Sequence, residues 1–268
     1  MFSCTSQAKY WRPQQMHDII RLVWFDLKHE LRPPVWIIME WITFTIQLGI
    51  YGALISQLVT GISNYQQFYA IGFIVMMTFG IGSHTGRHFV EHAHEGRLPY
   101  LLSLPISRSK LFLSMALQGG IELALMISVP LAITLALIGN FTFLSVVGAI
   151  VTLFVLGFGV AGLMLGLSFI AFKSADIYTA ITVGLSSIII RFSTVLYPLM
   201  FLPPSYAPVA LLSPLTYGAD LVRLLLGFDP SILLDPIYAV AVLTALAVST
   251  LGLGMLLLQR LVEGVKSA

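Results

Sequence analysis

Three histidines, His84, His88 and His92, recur at intervals of four residues, with Glu91, His94 and Glu95 beside them. On a helix this interval brings side chains onto one face. Three imidazoles there could share a metal ion, the commonest use of neutral histidine as a ligand. That chemistry would make the chain a metalloenzyme. The other reading is a solvated helical extension, and it is preferred because only His17 and His29 lie elsewhere as further ligands.

A second set of chemically active residues lies where charge is least at home. Glu40, Glu122 and Arg191 interrupt long apolar runs. Ionised groups in such runs are costly and face a protein interior, a water path or one another. The three are therefore candidates for a transport pathway or for interhelical pairing, with Glu40 near enough to a span's start to reach the interface. No stretch matches the phosphate-cradling pattern G-x-x-x-x-G-K-[ST]. The closely spaced glycines Gly157, Gly159, Gly162 and Gly166 sit inside an apolar run instead. Spacing of that kind lets membrane helices approach closely. Energy for any transport would then come from a partner or an ion gradient.

The elements that hold these residues follow from composition. Of 268 residues, 57% are hydrophobic and 10% charged, against about 25% charged in soluble domains, and mean hydropathy is +0.92. A soluble enzyme and a disordered chain are both excluded, leaving an all-α polytopic membrane protein. The single cysteine, Cys4, rules out an internal disulfide. A membrane helix needs about 20 apolar residues, and six stretches qualify: Val35–Leu58, Phe68–His88, Leu111–Ile138, Phe143–Phe172, Ile177–Leu199 and Leu233–Leu258. The expected organisation is an N-terminal segment over 1–33, a six-span domain over 34–258 and a tail over 259–268. No internal repeat marks an inverted-repeat secondary transporter, which remains a further alternative.

The first 33 residues are the most polar of the chain, the reverse of a cleavable leader. Within them Met16, Ile20, Val23, Trp24, Leu27 and Leu31 form an apolar stripe between Pro13 and Pro33. A basic helix of this kind suits the membrane interface, in contact with lipid. Lysine and arginine set the orientation. Lys9, Arg12, Arg21, Lys28, Arg32, Arg87, Arg97, Arg108, Lys110, Lys173, Arg260 and Lys266 all fall on one side, and loops 59–67 and 139–142 have none. The positive-inside rule makes both termini cytoplasmic in a multi-pass protein of the cell membrane.

Two connections differ from simple loops. The cytoplasmic one, about 89–110, carries a glycine stop at Gly96 and then a leucine patch ended by Pro105. Such a patch can dock in a partner's groove or lie on the bilayer. The outer one, 198–232, is apolar but broken by Pro198, Pro203, Pro204, Pro208 and Pro214. Prolines at that density prevent a continuous helix, so re-entrant helices are expected there, between spans five and six. They should bring Tyr197, Phe201 and Tyr206 near the exit of a pathway.

The pattern Glu95-Gly96-x-Leu98-x-x-Leu101-Leu102-x-x-Pro105-Ile106 resembles the cytoplasmic coupling-helix signature of type-2 ABC exporter permeases. The run Ser213-Pro214-Leu215-Thr216-Tyr217, followed by Asp220, Arg223 and Gly227, is similar to that family's segment before the last span. Tyr197-Pro198 and Leu202-Pro203 resemble its outer re-entrant region. The likeness covers most of the chain. It implies a coupling helix between spans two and three, in which Glu95, Gly96, Arg97, Leu98, Tyr100, Leu101, Leu102, Leu104 and Pro105 meet a partner. It also implies no catalytic residue or cofactor in this chain: ATP and Mg would sit in two separate ATP-binding cassette subunits. A second permease half, identical or paralogous, would complete the transporter, and no nucleic acid is involved. The expected cargo, an amphipathic, lipid-like or drug-like molecule with polysaccharide as the alternative, would leave the cytoplasm or inner leaflet.

Overall fold

A computed structural model describes Trp24 and residues 35–58, 64–96, 108–170, 174–229 and 233–266. Among the described residues all regular structure is helical. Helix α1 (Val35–Gln47) passes through a π-helical turn (Leu48–Gly52) into α2 (Ala53–Leu58). There follow α3 (Tyr65–His94), α4 (Arg108–Ile138), α5 (Phe143–Ile170) and α6 (Ala175–Arg191). After a short 3-10 turn at Leu199–Phe201 come α7 (Ala207–Leu212), α8 (Pro214–Leu225) and α9 (Pro236–Lys266).

Cross-helix bonds fix an alternating bundle. The Trp41 indole N–H donates to the Met126 carbonyl at 3.0 Å, the Gln67 amide to Leu137 at 2.8 Å, and the Thr250 hydroxyl to Gly159 at 2.9 Å. One end of the bundle, the histidine end, holds the start of α1, the end of α3 and the start of α4. The far end holds Leu58, Tyr65, Ile138 and Pro236. Helix α3 is the hub: 72% of its most apolar window is buried, against 22–39% in the other long helices, and α4, α5, α6 and α8 all pack on it.

Five helices among the described residues are long and apolar enough to cross a membrane, one fewer than the six expected spans. The difference lies in the expected fifth span, Ile177–Leu199. Helix α6 begins at Ala175, capped by the Ser174 hydroxyl accepting the Asp176 N–H at 3.2 Å, and stops at Arg191 after 17 residues. At 1.5 Å per residue it reaches about 25 Å. Beyond it the Thr194 N–H bonds the Thr216 hydroxyl at 3.3 Å, away from the Ile190 carbonyl it would need, and the carbonyls of Thr194 and Val195 turn to the Arg223 guanidinium, at 2.7 and 2.6 Å. Pro198 then blocks any resumption. Arg191, expected inside the span, is its exposed last residue.

The second span is longer than expected, Tyr65–His94 rather than Phe68–His88, so the histidines stay helical. Gly96 then takes φ +76°, a left-handed conformation that glycine adopts freely, and the chain leaves α3 there. The rest of the expected coupling helix, Arg97 to Ser107, lies outside the described residues, as does the N-terminal amphipathic helix apart from an exposed Trp24. At the other terminus α9 continues to Lys266, through the stretch expected as a tail.

The glycine spacing in α5 serves packing. A Cβ at Gly162 would lie 2.8 Å from the Leu251 nitrogen and 2.9 Å from the Thr250 carbonyl carbon, so α5 and α9 touch backbone to backbone. At Gly157 a Cβ would crowd Leu123 at 2.6 Å.

Candidate functional site

Two polar assemblies interrupt the apolar bundle. The first lies toward the histidine end, where α3 faces α4. Glu122, 2% exposed, meets His84 with Oε1 3.1 Å from Nδ1. Glu122 therefore pairs within the protein, but with a histidine of the second span and not with Arg191. His84 itself was grouped with the solvated run, and the signal that could have separated it was its place one turn inside the apolar part of that span.

From His84 the imidazoles climb α3. His88 sets its ring edge against His84 at 4.2 Å between centroids, and His92 follows at 6.0 Å. Glu91 accepts from Arg87 Nε at 2.7 Å and faces His88 Nδ1 at 3.6 Å. The rings stack edge to face along the helix and do not converge. Among the described residues no group of three His, Cys, Asp or Glu side chains is placed to hold a metal ion.

Beside the His84–Glu122 pair opens a groove of about 360 Å³. Helix α3 supplies its floor with Phe73, Met76, Met77, Gly80, Ile81 and His84. Met126 of α4, Ile190 of α6 and Glu40 of α1 form its walls. The Trp41 bond to Met126 and the packing of Phe44 on Phe73, 5.5 Å between rings, hold α1 against α3 and α4 so that the groove stays open beside them. Glu40 is exposed on this wall, and among the described residues none is hydrogen-bonded or ion-paired to it.

The second assembly lies toward the far end. Arg223 is fully buried, an expensive place for a charge; its NH1 and NH2 find acceptors, while the buried Nε has none among the described residues. Its NH1 donates to the Thr194 carbonyl at 2.7 Å and to Asp220 Oδ1 at 3.3 Å. Its NH2 donates to the carbonyls of Val195 at 2.6 Å and Phe68 at 3.1 Å. The guanidinium also stacks 3.4 Å above the Phe68 ring. Asp220 in turn accepts the Thr194 hydroxyl at 3.1 Å and the Leu234 N–H at 3.3 Å. The pair thus ties α8 to α3, to the turn after α6 and to the strand of chain entering α9. Gly72 makes this approach possible, since a Cβ there would run into the Val195 carbonyl.

Around this clamp the other expected residues divide. Tyr217 is buried, its hydroxyl donating to the Leu211 carbonyl at 2.6 Å and its ring edge-on to Tyr238 at 5.9 Å. Pro198 is buried, and the half-buried Tyr197 donates to the Arg191 carbonyl. Phe201 and Tyr206 are exposed, with Tyr206 stacked on Phe192 at 5.8 Å. Every residue from Pro214 to Arg223 is buried, so α8 is enclosed on all sides.

Among known proteins, the model of the ABC-2 type transporter family matches residues 17–227, from ahead of α1 through α8. No curated protein matches the chain. A match over more than three quarters of the sequence, on an all-helical membrane bundle, settles the matter: the chain belongs to the ABC-2 type transporter family, the membrane permease component of an ABC transporter.

Proposed function

We propose that this chain is one half of an ATP-driven exporter whose cargo is amphipathic and lipid-like or drug-like, and that the groove against α3 is its side of the pathway. The family implies association with ATP-binding cassette subunits. In this reading two of them hold ATP and Mg and drive the cycle, and a second permease half, identical or paralogous, faces the groove. A symmetric pair would be the commonest arrangement. The distribution of lysine and arginine supports a cytoplasmic histidine end with both termini inside, and hence movement of cargo from that end outward. The proline-broken segment, with α7 and α8, would dip into the outer leaflet as re-entrant helices.

The observation that carries this reading is the groove itself. Its volume of about 360 Å³ falls in the range of about 300–1,000 Å³ common for small-molecule sites. Its lining is apolar apart from Glu40 and His84, and three of its residues are methionines. Methionine is flexible and polarizable, and suits a surface that must accept varied apolar shapes.

Gly80 offers a direct test, because it lines the groove and a Cβ added there meets nothing within 4 Å. Gly80→Trp should fill the groove while leaving the bundle intact. In proteoliposomes containing the permease and its ATPase subunit, substrate-stimulated ATP hydrolysis should fall at least tenfold while basal hydrolysis persists. Unchanged stimulation with the groove filled would place the pathway elsewhere.

A further inference from the structure

We propose that the groove selects cationic amphiphiles, with the positive head against Glu40 and the tail along α3; this rests on the groove being the pathway. His84 marks the histidine end of the groove and Phe73 the far end; Glu40, one turn before the Phe44 that packs on Phe73, faces the stretch between them. From His84 to Phe73 the helix rises about 16 Å, roughly one leaflet of a hydrocarbon core about 30 Å thick. A cationic head against Glu40, with its tail along the apolar α3 wall, matches that layout.

The sign of the head follows from charge. Glu122 faces His84 at 3.1 Å, so its carboxylate is already engaged within the bundle. Among the described residues none pairs with Glu40, which leaves its carboxylate facing the groove. Of the described arginines, Arg87 is held by Glu91 at 2.7 Å, and Arg191 follows Ile190, on the α6 wall of the groove. A carboxylate facing an apolar cavity is stabilised by an opposite charge, and an anionic head beside Glu40 would be repelled by it.

The test uses three probes of one chain length: decyltrimethylammonium, decyl sulfate and decyl maltoside. Each is measured by equilibrium binding to the permease complex in nanodiscs of zwitterionic lipid. The ammonium should bind at least tenfold tighter than the sulfate, with the maltoside between them. Glu40→Gln should bring the three affinities together within about twofold, Glu40→Asp should restore the preference, and Gly80→Trp should weaken all three. Equal affinities in the parent, or a preference that survives Glu40→Gln, would overturn cation selection while leaving the groove as a pathway. Failure of Gly80→Trp to weaken any probe would instead overturn the groove.

Discussion

At the scale of single residues, the two buried acids show how differently a charge can be accommodated in an apolar bundle. Glu122 faces His84, which borders an open groove. Asp220 and Arg223 bond each other and the surrounding backbone and are closed to the outside. Their value is visible only when the pair is broken asymmetrically. Removing one member of a buried pair costs about 3–5 kcal/mol because it strands a charge, whereas replacing both members costs much less. Arg223→Met should therefore lower the melting temperature of the detergent-solubilised protein sharply. The double variant Asp220→Asn with Arg223→Met should regain a clear part of that loss, read by tryptophan fluorescence. Equal melting temperatures for the single and double variants would mean that the carboxylate is stabilised by something other than the guanidinium. From the sequence, Glu122 was legible as a charge needing a partner, and Arg191 was expected inside a span, whereas Arg223 stood out only through the family resemblance. Its burial is non-local: Arg223 captures carbonyls from residues 194 and 195, in the turn that follows the end of α6 at Arg191.

At the scale of helices, the long spans were legible because crossing a bilayer demands length and apolarity, and both are written in composition. Their ends were less so. Helix α3 outruns its apolar run by continuing through the histidines to Gly96, and α6 falls short, ending at Arg191. The glycine spacing of α5 was also legible as a close-packing face, and the structure assigns its partner as α9 for Gly159 and Gly162. Two glycines make a controlled comparison. At Gly162 a side chain meets the α9 backbone, whereas at the exposed Gly184 of α6 a Cβ meets nothing within 4 Å. Gly162→Val should destabilise the bundle by about 1–3 kcal/mol, the usual range for overpacking. Gly184→Ala should be neutral or stabilising by about 0.5–1 kcal/mol, as expected when a helical glycine gains a methyl group without strain. Thermal unfolding of the two variants side by side checks this, and equal behaviour would show that α5 and α9 can separate freely.

At the scale of the whole molecule, the remaining questions are which way it faces and where force enters. In the proposed orientation, with the histidine end inside, the exposed Ser205, beyond α6 at the far end, should react with an impermeant thiol reagent from outside when changed to cysteine in a Cys4→Ser background. Labelling only from the cytoplasmic side would invert the bundle. In the proposed orientation, an ATP-driven partner would engage the connection between α3 and α4. Both line or border the groove, and α3 is the hub on which most of the bundle packs. A rigid projection there would move the groove floor directly. Its root is visible: the Glu95 N–H closes α3 on the Glu91 carbonyl at 2.9 Å, and Gly96 turns the chain with a positive φ. Beyond it the leucine patch offers the apolar anchor. Central anchors at an interface typically cost about 2 kcal/mol or more when truncated, and about 1.4 kcal/mol is a tenfold change in affinity. Leu101→Ala with Leu102→Ala should thus weaken binding of the ATPase subunit by well over tenfold in a pull-down, while the spans still insert. Charge changes at Glu95 or Arg97, nearer the rim, should act mainly on association rate and salt dependence. If the double leucine variant binds the ATPase and stimulates hydrolysis like the parent, force must enter the bundle by another route.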